Sequence, residues 1–96
     1  MHVISYKAIR EYKGARPEAA AALDNWYRVV SRAKWDNFTD VRQVFGSADW
    51  AKPFVIFNIG GNKFRLIAEV NFHSQTLFIR HILNHEEYVE GKWKKS

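Results

Sequence analysis

The sequence predicts an α+β fold: N-terminal helices packed on one face of a twisted antiparallel β-meander, with a short C-terminal helix. Three observations carry that prediction. Apolar residues recur at helical spacing through the first half of the 96-residue chain. The second half switches to short strand-like runs, one of them strictly alternating. Glycines and prolines fall where elements should end. Helices grouped before strands specify α+β rather than alternating α/β. At this length the chain is expected to form one domain over residues 1–96.

Each element follows from local chemistry. His2, Val3 and Ile4 form a short strand candidate. Ser5 can cap a helix through about residue 13, with Ala8, Ile9 and Tyr12 on one side and Gly14 as its stop. Pro17 opens a longer helix over residues 17–33, where Ala19, Leu23, Trp26, Val30 and Ala33 make the buried stripe. Arg28 and Arg32 fall on its other side. Asn37 or Thr39 caps a short helix containing Val41, Val44 and Phe45 that ends at Gly46. Residues 54–59 are a continuous apolar strand candidate, and Gly60, Gly61 and Asn62 supply a tight turn. Residues 64–72 alternate strictly, with Phe64, Leu66, Ala68, Val70 and Phe72 on one face and Arg65, Ile67, Glu69 and Asn71 on the other. After a turn at 73–75 comes a strand over 76–83. Asn84 caps a final helix, and Glu87 three residues on completes a capping-box pattern. The sheet face away from the helices is expected to be free for function.

Composition narrows the possibilities. There is no cysteine, which removes disulfides, thiolate nucleophiles and zinc ribbons. No apolar run reaches the roughly 18–20 residues of a membrane span, and the N-terminus lacks signal-peptide architecture, so a cytoplasmic protein with no membrane contact is expected. Walker, dinucleotide-binding, HExxH and GxSxG motifs are absent. The net charge of +5 and the 16% aromatic content suit nucleic acid, because cations meet phosphates and rings meet bases. They suit a soluble protein with an aromatic core equally well.

The side chains with chemical potential lie between residues 58 and 88. Arg65 and Arg80 each interrupt an apolar strand, and guanidinium forks bind phosphate oxygens bidentately. Either could instead be a solvated edge charge. Residues 80 and 81 point to opposite faces of a regular strand, so only one can share the face of Arg65. With Phe72 opposite Thr76 the partner is His81; with the register slipped by one it is Arg80. His85 follows the Asn84 cap, where first-turn N–H groups favour an anion and an imidazole suited to proton transfer. Tyr88, one turn on, can stack on a base or pack the helix onto the sheet. His81 and His85 are four residues apart but belong to different elements, so no metal site and no cofactor are expected. His2 and His73 receive no role.

On these residues the chain resembles the HigB-type toxins of the RelE-like superfamily of toxin–antitoxin ribonucleases. The resemblance spans nearly the whole chain. It begins at the V-I-x-x-K-A-like start from Val3 and runs through Leu23 to Tyr27 and Asp40 to Phe45. It is densest in the strings F-N-I-G-G-N-K-x-R-L from Phe57 and I-R-H-x-x-x-H-x-E-Y from Ile79. Asn84 stands where these toxins often carry Thr, and Val89 where Asp is common.

The resemblance implies the small RelE-like ribonuclease fold and a toxin that cleaves mRNA at the ribosome. The implied chemistry is metal-free attack of the ribose 2′-OH on phosphate. It assigns phosphate binding to Arg65, general-acid action to His85 and base stacking to Tyr88; Arg80 is expected as a second phosphate holder from its own place in a strand. The general base is open: His81 first, then Lys63, then none. Asn58, where relatives place Lys or His, joins Asn62 and Lys63 as expected substrate contacts, and Arg28 and Arg32 suit ribosomal RNA. The implied partner is a HigA-type helix-turn-helix antitoxin; this chain has no helix-turn-helix, so direct DNA binding is not expected of it. The rival readings are a non-catalytic RNA- or ribosome-binding module that blocks translation by occupancy, and a protein whose sheet face serves only to receive an antitoxin segment.

Overall fold

The computed structural model describes residues 1–95. In chain order its elements are β1 (His2–Ile4), α1 (Tyr6–Ala15), a 3-10 turn (Pro17–Ala19), α2 (Ala20–Arg32), α3 (Phe38–Val44), β2 (Asp49–Ala51), β3 (Phe54–Ile59), β4 (Phe64–Asn71), β5 (Thr76–Asn84), α4 (His85–Glu90) and a closing 3-10 turn (Lys92–Lys95). The α+β class is as the sequence predicts. The sheet, however, is mixed and larger than a three-stranded meander, with order β1-β5-β4-β3-β2. The expected antiparallel meander forms its middle. β1 adds a parallel edge beside β5, and β2 adds an antiparallel edge beside β3.

Helix starts and stops depart locally from expectation. Ser5 sits in the left-handed region at φ 77° and makes no side-chain cap, so α1 begins from a backbone turn. Gly14 lies inside α1, which runs on to Ala15 and ends at Arg16. Residues 17–19 wind as a 3-10 turn before α2 proper, because Pro17 suits a first turn but offers no N–H. Asn37 caps α3, its Oδ1 accepting from the Asp40 N–H at 3.0 Å, and α3 stops at Val44 before Gly46.

The core lies between the helices and one sheet face. Ala19, Leu23, Trp26 and Val30 of the predicted stripe are buried against Val55, Phe57, Ile59, Phe64, Leu66 and Ala68. Trp26 meets Phe57 edge-on at 5.3 Å, a favoured aromatic geometry. The opposite sheet face is not bare: Ile56, Ile67 and Trp93 form a second, smaller cluster there. Five consecutive residues of β4, Phe64 to Ala68, are therefore buried on both faces.

The β4–β5 hairpin resolves the register question by using both alternatives. Near the turn Asn71 pairs with Thr76, Glu69 with Phe78 and Ala68 with Ile79; beyond it Ile67 pairs with His81 and Arg65 with Leu83. The shift between Ile67 and Ala68 is a β-bulge with Arg80 as the extra residue. The turn itself spans four residues, 72–75, one more than expected. Gln75, at φ 55°, pins it to the α2–α3 loop: its Nε2 donates to the carbonyls of Trp35 (2.6 Å) and Phe72 (2.7 Å), and its Oε1 accepts from the Trp35 N–H.

Among the described residues no helix is long and apolar enough to cross a membrane.

Candidate active site

Alternation along β3, β4 and β5 writes three rows across the outer sheet face. Asn58, Arg65 and Leu83 make the first, and Ile56, Ile67 and His81 the second. Phe54, Glu69 and Phe78 make the third. Arg65 and His81 are thus diagonal neighbours on one face, with Cβ atoms about 7–8 Å apart by sheet geometry. The bulge brings Arg80 onto this face as well, and Phe54, Glu69, Arg80 and His81 together line one small cleft.

Arg65 is the one charged residue buried among the described residues, at 8% exposure. Its NH1 donates to the Phe64 carbonyl at 3.1 Å, and its guanidinium lies over the Tyr88 ring at 5.1 Å. No carboxylate among the described residues pairs with it. Arg80 is in a different situation. Its Nε donates to Glu69 Oε1 at 2.9 Å and its guanidinium lies over Phe78, so its charge is met within the protein. The second phosphate-holding arginine expected from sequence is therefore already engaged by a carboxylate.

His81 contacts the C-terminal segment through a cleft of about 330 Å³, lined also by Leu83, Glu87, Glu90, Lys92 and Trp93. Burial of the ring, and then the positive charge of Arg80 beside it, hold the imidazole below its ordinary value of 6.5.

α4 places His85 and Tyr88. Its capping box is complete: Asn84 Oδ1 accepts from the Glu87 N–H at 2.8 Å, and Glu87 Oε1 accepts from the Asn84 N–H at 2.9 Å. The His85 N–H donates to the Lys63 carbonyl at 3.1 Å. That bond ties α4 to the β3–β4 turn and brings Lys63 and Asn62 to the same end of the sheet. Two of the first-turn N–H groups, those of His85 and Glu87, are thus satisfied within the protein. The His85 side chain remains exposed. Tyr88 is half-buried, with its ring stacked parallel on Trp93 at 5.6 Å and 10°.

Arg28 and Arg32 are not part of this assembly. They lie on the exposed side of α2, whose other side packs on the inner sheet face, and Arg28 bonds Asn25 Oδ1 at 2.7 Å. Two further residues shape the site without marking themselves in the sequence: Glu69, which neutralises Arg80, and Trp93, which covers Ile56 and Ile67. The only signal for Trp93 is a single aromatic residue set among lysines. Among the described residues no three His, Asp or Glu side chains converge as a metal-holding group.

This geometry coincides with clear relationships to known proteins. The sequence profile of the HigB toxin family, described as the RelE-like toxic component of a toxin–antitoxin system, matches residues 19–91. The mRNA interferase HigB of Escherichia coli O6:H1 is 33% identical over 91 residues, covering 92% of this chain and 88% of that protein. The mRNA interferase toxin HigB of Escherichia coli K12 and the mRNA interferase HigB of Shigella flexneri are each 30% identical over the same shares. On a profile spanning most of its length and relatives matched over nine-tenths of it, the chain belongs to the HigB toxin family.

Proposed function

We propose that this chain is an endoribonuclease that inhibits translation by cutting mRNA on the ribosome, held in check by a HigA-type helix-turn-helix antitoxin. The observation that carries the reading is Arg65: a buried guanidinium, facing an aromatic ring, with no carboxylate among the described residues to neutralise it. Burying such a charge is costly unless an anion completes it, and a phosphodiester is the anion that the relatives named mRNA interferases would present.

The chemistry follows from the neighbouring groups. Arg65 holds the scissile phosphate and stabilises charge as it develops on the phosphoryl oxygens. Neutral His81 accepts the proton of the ribose 2′-OH, whose oxygen attacks the adjacent phosphorus. His85, exposed at the start of α4, donates a proton to the departing 5′-oxygen. The P–O5′ bond breaks as the P–O2′ bond forms, leaving a 2′,3′-cyclic phosphate and a 5′-hydroxyl. Asn58, Asn62 and Lys63 contact the RNA around this centre, and Tyr88 borders the base. Arg80, engaged by Glu69, keeps the bulge in place and the His81 imidazole neutral. Arg28 and Arg32 meet ribosomal RNA from the helix layer, and the ribosome supplies the alignment of the substrate.

The test is induced expression of wild type, Arg65→Ala and His85→Ala, with growth recorded and RNA 5′ ends mapped. Wild type should arrest growth and create new 5′-hydroxyl ends inside translated frames. Each variant should lower cleavage by about 100- to 1,000-fold. Arrest by wild type without new ends, or full toxicity of both variants, overturns the proposal.

A further inference from the structure

We infer that Trp93 is a positioning residue for Arg65, acting through Tyr88 as the third layer of a stacked column. This rests on the reading of Arg65 as the phosphate-binding group. The Arg65 guanidinium lies 5.1 Å from the Tyr88 ring, the Tyr88 ring lies 5.6 Å from the indole of Trp93 at 10°, and Lys94 Nζ lies 5.6 Å from the Trp93 ring. A cation thus lies against each of two parallel rings. The negative faces of the rings supply what a carboxylate would otherwise supply, without cancelling the charge that a phosphate must meet.

The column is anchored at Trp93. The indole is 4% exposed between the exposed Lys92 and Lys94, and it covers Ile56 and Ile67 in the centre of the outer face. Its Nε1–H donates to the Tyr88 carbonyl at 3.2 Å, and Phe54 meets it edge-on at 5.8 Å. Tyr88 is on a helix of only six residues, so its ring orientation depends on what stands beside it. The family profile ends at residue 91, two residues before Trp93.

The experiment compares the full-length chain with Trp93→Leu and Trp93→Phe. Leucine keeps apolar bulk over Ile56 and Ile67 but removes the aromatic face; phenylalanine restores the face. Two quantities are read by NMR: the ring-current shift of the Arg65 Nε–H, and the affinity for inorganic phosphate followed at that signal. Trp93→Leu should melt cooperatively, move the Arg65 signal towards its unstacked position and weaken phosphate binding at least fivefold. Trp93→Phe should stay within twofold of wild type. If Trp93→Leu keeps the signal and the affinity within twofold, or binds phosphate more tightly, the inference is overturned. Neither readout uses RNA cleavage, so a protein that cuts no RNA would refute the proposed function while leaving this measurement to decide the column by itself.

Discussion

Replacing Arg65 by methionine should abolish cleavage and stabilise the protein. The buried guanidinium donates one charge-assisted hydrogen bond, from its Nη1 to the Phe64 carbonyl, and makes one ring contact with Tyr88. Those are worth about 1.5–3 kcal/mol and about 1–2 kcal/mol respectively. Against them stands a desolvation penalty of several kcal/mol for an ion taken out of water at 8% exposure. The two sides nearly cancel. A methionine of similar length forfeits the bond and the ring contact, but escapes the penalty and gains about 1.5–3 kcal/mol from its own burial. The expected result is a gain of about 1.5–3 kcal/mol, with each kcal/mol raising Tm by about 4–8 °C in a domain this size. Urea and thermal denaturation measure it directly. Phosphate supplies an internal control, because an anion that binds only the folded state stabilises it by RT ln(1 + [L]/Kd) and so raises Tm as its concentration rises above Kd. Wild type should respond to phosphate, and Arg65→Met should not. A loss of more than about 1 kcal/mol would refute the reasoning and make Arg65 a structural residue. An equal phosphate response in both proteins would move the anion site elsewhere.

Acidification should destabilise the fold through His81. Its folded value is lowered, so as pH falls below 6.5 the unfolded chain takes up a proton first; the stability is fully present above 6.5 and is lost as pH falls through the folded value. Urea midpoints between pH 7.5 and 5.5 should show that slope, and His81→Phe should flatten it. Asn84→Ala removes the side-chain acceptor of the capping box and should cost about 1 kcal/mol, with faster amide exchange confined to residues 85–88.

Elements whose signal is local were legible in the sequence. The apolar run 54–59 is β3 to the residue, because a strand buried on both sides needs no alternation to be seen. The Asn84–Glu87 capping box depends on four adjacent residues and forms with both of its bonds. What depends on distant partners was not legible. β2 is three residues long, too short for a period, and exists because β3 offers it an edge. The β4–β5 register could not be chosen because neither uniform register occurs: the two are joined at Arg80, where nothing in the sequence marks an extra residue. The candidate site divides the same way. The shared face of Arg65 and His81 was one of two alternatives, and the proximity of Tyr88 to Arg65 follows from α4 folding back. The neutralisation of Arg80 by Glu69 joins residues 11 positions apart and emerges only with the hairpin. A tryptophan among lysines gives no hint that it is buried, because burial there is a property of the sheet face beneath it.

The pairing of His2, Val3 and Ile4 with Thr76, Leu77 and Phe78 has a consequence for the order of events during synthesis. This strand must wait for its partner, since its neighbour in the sheet is encoded some three-quarters of the chain later. At about 5–20 residues per second, the nascent N-terminus waits several seconds for that neighbour. α1 and α2 can form in the interval from local contacts, but the sheet cannot close, and His81, His85 and Tyr88 have not yet been made. A toxin of the HigB family is thus kept incomplete by its own topology for most of the time it is being translated.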